Sequence, residues 1–216
     1  MRKNQLRWLY ILGFISLLSV SCFSPKAHAD SDWLRYLKKD SLLNTFKTCY
    51  AVQEETLWQG TAGEGVIVNN GTTKRVISNQ STRTRPPVDD GLISDYITSI
   101  TIDETRNVVW IGTNEGLCCC DMEGNNWKRF TESNVLPNNV IRCLTMDNGG
   151  NLWVGTPSGI AMFDGENWKK FDESNGLRQA SIHSIKAKGT AVWVGSVGGT
   201  VSRYKDGQWK LFVDFD

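Results

Sequence analysis

The sequence predicts an all-β fold, a β-propeller made of four-stranded antiparallel blades. Three observations lead to this prediction: one motif occurs four times, a second motif follows three of its copies, and short alternating segments bounded by turn residues lie between them. Repeats of about 40 to 50 residues with four strands each are typical of propellers, whose blades bury their faces against one another around a central channel.

The first motif places an aliphatic residue, a tryptophan and a glycine before a hydroxyl residue. Its copies read LWQGT, VWIGT, LWVGT and VWVGS, and they begin at Leu57, Val109, Leu152 and Val192. We expect the tryptophan to be buried between blades, the glycine to allow close approach, and the hydroxyl to satisfy a backbone group in the next turn. This first slot holds Trp58, Trp110, Trp153 and Trp193.

The second motif reads NWKRF, NWKKF or QWKLF, and its tryptophans are Trp127, Trp168 and Trp209. These three tryptophans are spaced 41 residues apart, and beyond residue 29 every tryptophan of the chain except Trp33 occupies one of the two slots so defined. Trp33 also fits the second slot, as described below. So regular a placement predicts a repeated structural role for these residues.

Each unit reads as four short strands, and the third unit shows the pattern most clearly. Its segments are VIRCLTMD, LWVGT, GIAMFD and NWKKF, with apolar residues at period two. Asp164-Gly165 and Asp206-Gly207 predict type I′ hairpins, because both central positions of that turn need positive φ. No helical periodicity of useful length occurs. The four repeats cover roughly residues 42–83, 94–131, 138–172 and 180–213.

Residues 1–29 predict an export signal. Three basic residues precede an apolar run over 8–20, no acidic residue occurs before Asp30, and residues 27–29 read Ala-His-Ala, typical of a signal-peptidase site. The apolar run is shorter than the roughly 20 residues that cross a bilayer as a helix. Residues 30–216 then form the propeller domain.

An alternative interpretation of the same segment is lipid attachment at Cys22. The stretch LSVSC resembles a bacterial lipobox, although Ser19 stands where an aliphatic residue is usual. Both interpretations predict a periplasmic or extracellular protein, and in the second one a lipid would anchor it to a membrane. Removing the four basic residues of the signal leaves a formal charge of −3, which with the absence of a basic run argues against nucleic acid as a partner.

The combination LWVGT..G followed by DG..W..F resembles the propeller repeats of bacterial two-component regulators, the extracytoplasmic sensor region of hybrid histidine kinases. This resemblance extends from Trp33 to Phe212. It implies a sensor-like module that binds a ligand and performs no reaction of its own. The motif is specific for the repeat family and far less specific for function.

Positions that depart from the repeat are the candidate binding residues. Alignment of the first strands puts a variable row beside a row of small residues, Cys49, Ser99, Cys143 and Ser184. Because the first strand of a blade faces the channel, the variable row is expected at the channel mouth, where a cation or an imidazole could bind an unknown small molecule. This row consists of Thr48, Thr98, Arg142 and His183, and the variable turn positions Glu64, Glu115 and Ser158 are weaker candidates.

Neither a metal site nor a cofactor is predicted. The run Cys118 to Cys120 lacks metal-ligand spacing and replaces ordinary strand residues of the next repeat, so we expect buried thiols. Catalysis has little support, because His183 is the one histidine after the signal and no nucleophile elbow occurs. A propeller lyase or hydrolase is the enzyme alternative.

The segment that begins at Trp33 also predicts a fourth strand, because it aligns with the segment around Trp127 at an offset of 94 residues. The last repeat has its own fourth strand, so the chain has one strand too many for a ring of four blades. Three explanations stay open: a four-bladed ring with a spare strand, a half-ring that pairs with a second copy, or part of a longer sensor. Since an unpaired strand edge favours association, we expect a homo-oligomer or docking on a partner propeller or sensor protein.

Overall fold

The computed structural model describes residues 47–79 and 91–213, and four four-stranded antiparallel sheets make up most of this part of the chain. The predicted propeller blades are confirmed. The first blade contains β1 (Lys47–Gln53), β2 (Thr56–Thr61), β3 (Val66–Asn69) and β4 (Lys74–Ile77), and the second contains β5 (Ile97–Asp103), β6 (Val108–Thr113), β7 (Leu117–Asp121) and β8 (Lys128–Phe130).

The remaining two blades repeat the same order of strands. One turn of 3-10 helix, Glu173–Asn175, lies in the connection between them. The third blade contains β9 (Cys143–Met146), β10 (Leu152–Thr156), β11 (Gly159–Phe163) and β12 (Trp168–Phe171), and the fourth contains β13 (Ile182–Lys188), β14 (Ala191–Ser196), β15 (Val201–Lys205) and β16 (Gln208–Val213).

The first strand of every blade is the innermost one. Within each sheet the strands pair in chain order, and contacts between blades run from β1 to β5, from β5 to β9 and from β9 to β13. The predicted channel-facing position of the first strands follows from this arrangement.

The two ends of the blades differ in what they carry. The β2–β3 turn of the first blade, its counterparts in the other blades, and the connections between blades lie at one end, which we call the connection end. The turns between the first and second strands and between the third and fourth strands lie at the opposite end, the turn end.

The hydroxyl after the repeated glycine closes the turn at the connection end, as the sequence predicts. The hydroxyl of Thr156 donates to the carbonyl of Gly159 at 2.8 Å and accepts from the amide of Ser158 at 3.2 Å. Thr61 and Thr113 make the equivalent pair of bonds. In the fourth blade Ser196 instead donates to the carbonyl of Gln179 at 3.0 Å, so this turn is held differently.

One of the two predicted type I′ hairpins is present. Asp206 and Gly207 have φ values of 50° and 80°, as this turn requires. Asp164 does not have positive φ, although Gly165 does. The reason is a longer loop, in which the amide of Asp164 bonds to the carbonyl of Asn167 and the Asp164 carboxylate accepts from the amide of Asn167.

Apolar side chains form one cluster at each junction between consecutive blades. The face that a blade turns toward the next blade, its trailing face, carries the first-slot tryptophan, and the face turned toward the preceding blade, its leading face, carries the second-slot tryptophan. At the third junction the ring of Trp153 lies 5.2 Å from that of Tyr204 and 6.5 Å from that of Trp209. Trp58, Trp110 and Trp153 are buried, as predicted, and Trp127, Trp168 and Trp209 are half-buried.

Close approach of the blades depends on the repeated glycine. A Cβ atom added at Gly155 would lie 2.8 Å from Cγ2 of Ile182, and one added at Gly112 would lie 2.6 Å from Cγ2 of Ile141. Real Cβ atoms do not come so near to other carbons. In each case an isoleucine of the next blade fills the space over the glycine.

The blades form an open arc. Among the described residues there are three junction clusters for four blades, and no contact of similar extent joins β13 to β1. The burial predicted for Trp193 is therefore wrong: this side chain is only half-buried, because no described blade follows the fourth one. Phe212 is 45% exposed, whereas its counterpart Phe171 is 2% exposed.

A polar contact at the turn end supports the junction of the second and third blades. The guanidinium of Arg106 donates to the Asp103 carboxylate at 2.6 Å, to the carbonyl of Gly150 at 2.8 Å and to the carbonyl of Asp164 at 3.1 Å. Burial tends to raise the pKa of Asp103, but hydrogen bonds from Thr105 and Arg106 and the charge of Arg106 outweigh it, so the pKa lies below its ordinary value.

Several sequence predictions concern residues outside the described part. They are the export signal, the lipid attachment site Cys22, and the additional strand with Trp33.

We predict that Gly155→Ala lowers the free energy of unfolding by about 1–3 kcal/mol, because the new methyl group overlaps Ile182 and forces the third and fourth blades apart. Gly195→Ala is the matched control, since its new Cβ meets only the hydroxyl of Ser184 within 4 Å. Denaturant unfolding of both variants measures the difference. Equal losses would contradict the role assigned to the junction.

We predict that Asp103 stabilises the fold above a pH of about 4 and loses this effect as the pH falls through its lowered folded-state pKa. The sign follows because a carboxyl group with a lower pKa in the folded state binds protons less readily than in the unfolded state. Asp103→Asn should therefore flatten the pH dependence of the unfolding midpoint between neutral and acidic pH. Asp206→Asn, which removes a carboxylate from an exposed turn, is the matched control.

Candidate functional site

The predicted channel row coincides with irregularities in the innermost strands. The pairing of β1 with β2 shifts register at Thr48, and the first strands of the second and fourth blades shift at Thr98 and His183. Arg142 occupies the corresponding place just before β9, where its amide donates to the carbonyl of Gly155 at 2.9 Å. Such bulges re-aim a side chain away from the regular pleat, so this row is distinct from the strand residues beside it.

The four side chains of the row have different surroundings. Arg142 donates through Nη1 to the carbonyl of Ile182 at 3.0 Å and to the hydroxyl of Ser181 at 3.3 Å, so it links the third and fourth blades. The hydroxyl of Thr98 is buried and has no hydrogen-bond partner. Thr48 lies near the thiol of Cys49, with Oγ1 3.7 Å from Sγ, and His183 is exposed.

The weaker candidates lie in the turns at the same end. Glu64, Glu115 and Ser158 are exposed residues of the β2–β3 type turns, and the hydroxyl of Ser158 accepts a bond from the side chain of Asn138 at 3.2 Å. The fold therefore brings all seven predicted residues to the connection end. Two of them, Arg142 and Ser158, form hydrogen bonds with residues that the sequence did not predict as part of the site.

A cavity of about 350 Å³ lies elsewhere, at the turn end between the first and second blades. Arg75 of β4 and Val68 line it on one side, and Met122 and Glu123 of the β7–β8 turn line it on the other. No sequence pattern predicted this cavity, because it depends on how two turns of different blades meet.

The small residues beside the channel row belong to the junctions. Cys49, Ser99 and Cys143 are buried, and the hydroxyl of Ser99 accepts a bond from the amide of Leu144 in the next blade at 3.1 Å. Ser184 has the same place in the fourth blade and is exposed. Small size at this row thus serves blade packing.

All cysteines in the described part of the chain are buried, as the sequence predicts, and none of them is paired in a disulfide bond there. Burial raises the pKa of Cys118 to about 12 and that of Cys119 to about 11, and it raises the pKa of Cys120 as well. These thiols are therefore protonated at neutral pH. Among the described residues no group of three or more His, Cys, Asp or Glu side chains could hold a metal ion.

No blade in the described part of the chain covers the trailing face of the fourth blade, which we call the open face. Its central row crosses four strands through Lys186, Trp193, Arg203 and Lys210. The ring of Trp193 lies 4.7 Å from that of Phe212, and the guanidinium of Arg203 lies 4.9 Å from the centre of the Phe212 ring. Sequence reasoning missed this face, although two cations at otherwise small or apolar repeat positions could have indicated it.

The third blade is similar in sequence to a known family of repeats. The family model described as two component regulator propeller matches residues 135–158, which include the whole of the first two strands of the third blade. The predicted resemblance is confirmed. No curated protein matches the chain.

Solved structures support the fold. The chain is similar to an extracellular domain described as that of the hybrid two component system BT3049 of B. thetaiotaomicron, with a TM-score of 0.64, 20% identity and 78% of this chain covered. The extracellular domain of BT4673 from the same organism gives a TM-score of 0.58 and 16% identity, and 79% of this chain is covered. The WD40 repeats of RRP9 give a TM-score of 0.61 and 13% identity, and 78% of this chain is covered.

This chain spans only 23% of the BT3049 domain, 22% of the BT4673 domain and 51% of the RRP9 structure. The similarity is thus to a group of blades within larger proteins. In the described residues no helix has the length and apolar character to cross a bilayer.

We predict that the five thiols of the propeller do not react with a disulfide reagent such as DTNB at pH 8 in the folded protein. Burial removes access to all five thiols and also raises the pKa of Cys118, Cys119 and Cys120, so all five should react only after denaturation. Absorbance of the released thiolate measures this, with Cys22→Ser as background in the uncleaved chain. Rapid reaction of any propeller thiol in the folded state would contradict the buried placement.

Proposed function

We propose that this chain is an exported, sensor-like binding module without a reaction of its own, and that it acts as part of a larger propeller assembly. The observation that carries the proposal is the open arc, in which four blades have three junctions within the described residues. A propeller usually buries the face of every blade against a neighbour, and an uncovered face with large aromatic residues favours association with another protein.

The repeat type supports the sensor-like part of the proposal. The third blade matches the two component regulator propeller family, and similar structures are extracellular domains of systems described as two component or one component regulators. Export rests on the basic and apolar pattern of residues 1–29. The partner would be a propeller or another sensor protein that continues the arc.

The side-chain chemistry supports binding over catalysis. The thiols of Cys118 and Cys119 are buried and protonated, so they are poor nucleophiles. His183 is exposed on the inner strand of the last blade. A lyase or hydrolase would need a base held next to a nucleophile in a cleft, and the described contacts of the channel row do not include such a pair.

A small molecule at the connection end is a second candidate ligand. The observation that favours it is the buried, unpartnered hydroxyl of Thr98 in the channel row. In the next blade the same row carries the cation Arg142. An anionic or hydrogen-bonding ligand would suit this pair.

In thermal-shift measurements Arg142→Ala should abolish the stabilisation that such a ligand causes, whereas Lys128→Ala, on an exposed outer strand, should retain it.

The assembly proposal predicts that a photo-crosslinking residue in place of Trp193 yields one discrete adduct with another protein in the cells that produce this chain. The same residue in place of Glu166, in an exposed turn of the third blade, is the control and should yield none. Denaturing electrophoresis and mass spectrometry detect and identify the adduct. No adduct from any open-face position, or a closed four-bladed ring in a crystal structure, would overturn the proposal.

A further inference from the structure

The first and second junctions differ at the turn end because two turns differ in length. The turn between β5 and β6 consists of residues 104–107, and from it Arg106 extends across the second junction to carbonyl groups of the third blade. The turn between β1 and β2 contains only Glu54 and Glu55. This shorter turn supplies no counterpart of Arg106 to the first junction.

The cavity of about 350 Å³ lies at the corresponding place of the first junction. At the second junction the guanidinium of Arg106 lies against Gly165, where an added Cβ atom would overlap it. Met122, one of the residues that line the cavity, follows Asp121 as Gly165 follows Asp164. The cavity thus corresponds to the space that an arginine side chain fills one junction later.

A hydrogen-bond acceptor of the first blade is unsatisfied at the same end. Gln53 ends β1 as Asp103 ends β5, and Thr56, the cross-strand partner of Gln53, lines the cavity. Oε1 of Gln53 is buried and has no hydrogen-bond partner, whereas the carboxylate of Asp103 accepts from Arg106 at 2.6 Å. Buried acceptors without a partner are rare in proteins, so we expect a donor that is not part of the chain.

Two opposite charges also line the cavity. Arg75 belongs to β4 and Glu123 to the β7–β8 turn. Both Nη atoms of Arg75 lie 3.2 Å from a Cβ added at Gly124, so its guanidinium is close to the turn that carries Glu123. Within the described part of the chain no ion pair joins Arg75 to Glu123. Both charges are therefore available to a ligand.

The remaining lining suits a short, partly apolar molecule. Val68 and Met122 add apolar surface, and Asn70 and Thr73 add polar groups. The volume of the cavity lies near the lower limit for small-molecule sites in proteins. All lining residues belong to the described part of the chain.

We propose that this cavity binds a guanidino carboxylic acid of about the size of arginine. The guanidinium of the ligand takes the place of the Arg106 side chain and donates to Oε1 of Gln53 and to the carboxylate of Glu123. The carboxylate of the ligand pairs with Arg75. Guanidinium and carboxylate groups form two parallel hydrogen bonds, so both ends of such a ligand are recognised by geometry as well as by charge.

This inference goes beyond the proposed assembly function. The site lies at the first junction and at the turn end, away from both the open face and the channel row. Its failure would leave the proposed assembly untouched, and the converse also holds.

An arginine residue of a peptide would bring the same guanidinium to the cavity. The free acid is favoured because a peptide bond converts its carboxylate into a neutral amide, which would leave the charge of Arg75 without a partner. Binding of an arginine without a carboxylate is therefore an outcome of the test.

Calorimetric titration of the full chain with L-arginine tests the site. Citrulline, in which a neutral urea replaces the guanidinium, and argininamide, which lacks the carboxylate, should each bind about tenfold more weakly or worse, because each loses one charge-assisted pair. Citrulline that binds as well as arginine would overturn the role of the guanidinium. Argininamide that binds as well as arginine would overturn the free acid in favour of an arginine residue.

Charge-neutralising variants locate the binding. Glu123→Gln and Arg75→Gln should each weaken the binding of L-arginine about tenfold or more. Glu166→Gln and Lys128→Gln are the matched controls and should bind as the unchanged chain does, since these residues occupy the corresponding positions in the third and second blades. Equal losses in the controls would overturn the assignment to this cavity.

A graft of the longer turn fills the cavity from within the chain. Residues 54–55 are replaced by the sequence of residues 104–107, together with Gln53→Asp, so that an arginine reaches the first junction as Arg106 reaches the second. This graft should raise the unfolding midpoint and abolish binding of L-arginine. The same graft with alanine in place of its arginine is the control and should retain binding.

Two results would overturn the proposal as a whole. One is binding of L-arginine that persists in the arginine graft, because the ligand would then lie elsewhere. The other is the absence of saturable binding up to about 10 mM L-arginine, where even a Kd of about 1 mM would be evident.

Discussion

The packing of one blade on the next is the constraint on which the whole structure depends. A four-stranded sheet with apolar residues on both faces cannot remain alone in water, because each face exposes tryptophan and aliphatic surface. In this chain an isoleucine of one blade lies over a glycine of the preceding blade, and the first-slot tryptophan lies against aromatic or apolar residues of the following blade. Each repeat is therefore stabilised by its contacts with neighbouring repeats and is not an independently folding unit.

The polar interactions of the structure follow from the same contact. Arg106 reaches carbonyl groups of the third blade only because the second and third blades are in close contact, and Arg142 reaches Ile182 for the same reason one junction later. The amide of Leu144 finds its acceptor in the hydroxyl of Ser99 across a junction. These bonds fix the relative positions of blades that hydrophobic packing has already brought together.

The end of the arc is where the same constraint becomes relevant to function. Trp193 and Phe212 have the places of buried residues, but no blade among the described residues covers them, and cations occupy the positions around them. Terminal repeats often gain polar outer faces, which keep an array soluble. Here the polar face retains the glycine and the aromatic residues of a junction, so solubility alone does not explain its composition.

The amino-acid sequence by itself determined the repeat, the strands and the structural residues. The spacing of the tryptophans and the period-two pattern predicted the blades, and the hydroxyls of Thr61, Thr113 and Thr156 close their turns as expected. Such features are local or repeat at a fixed interval, so one copy is interpreted by comparison with the others. The variable positions Thr48, Thr98 and His183 coincide with register shifts in the first strands.

The tertiary structure alone decided which faces are covered. Trp153 and Trp193 have nearly identical sequence surroundings, yet one is buried and the other only half-buried, because burial depends on whether another blade follows. It also decided that Arg142 links two blades, that the Asp164 turn is not the type I′ turn its Asp-Gly pair suggested, and that a cavity lies at the turn end. Each of these features depends on residues distant in the chain or on loop length, which a single repeat does not encode.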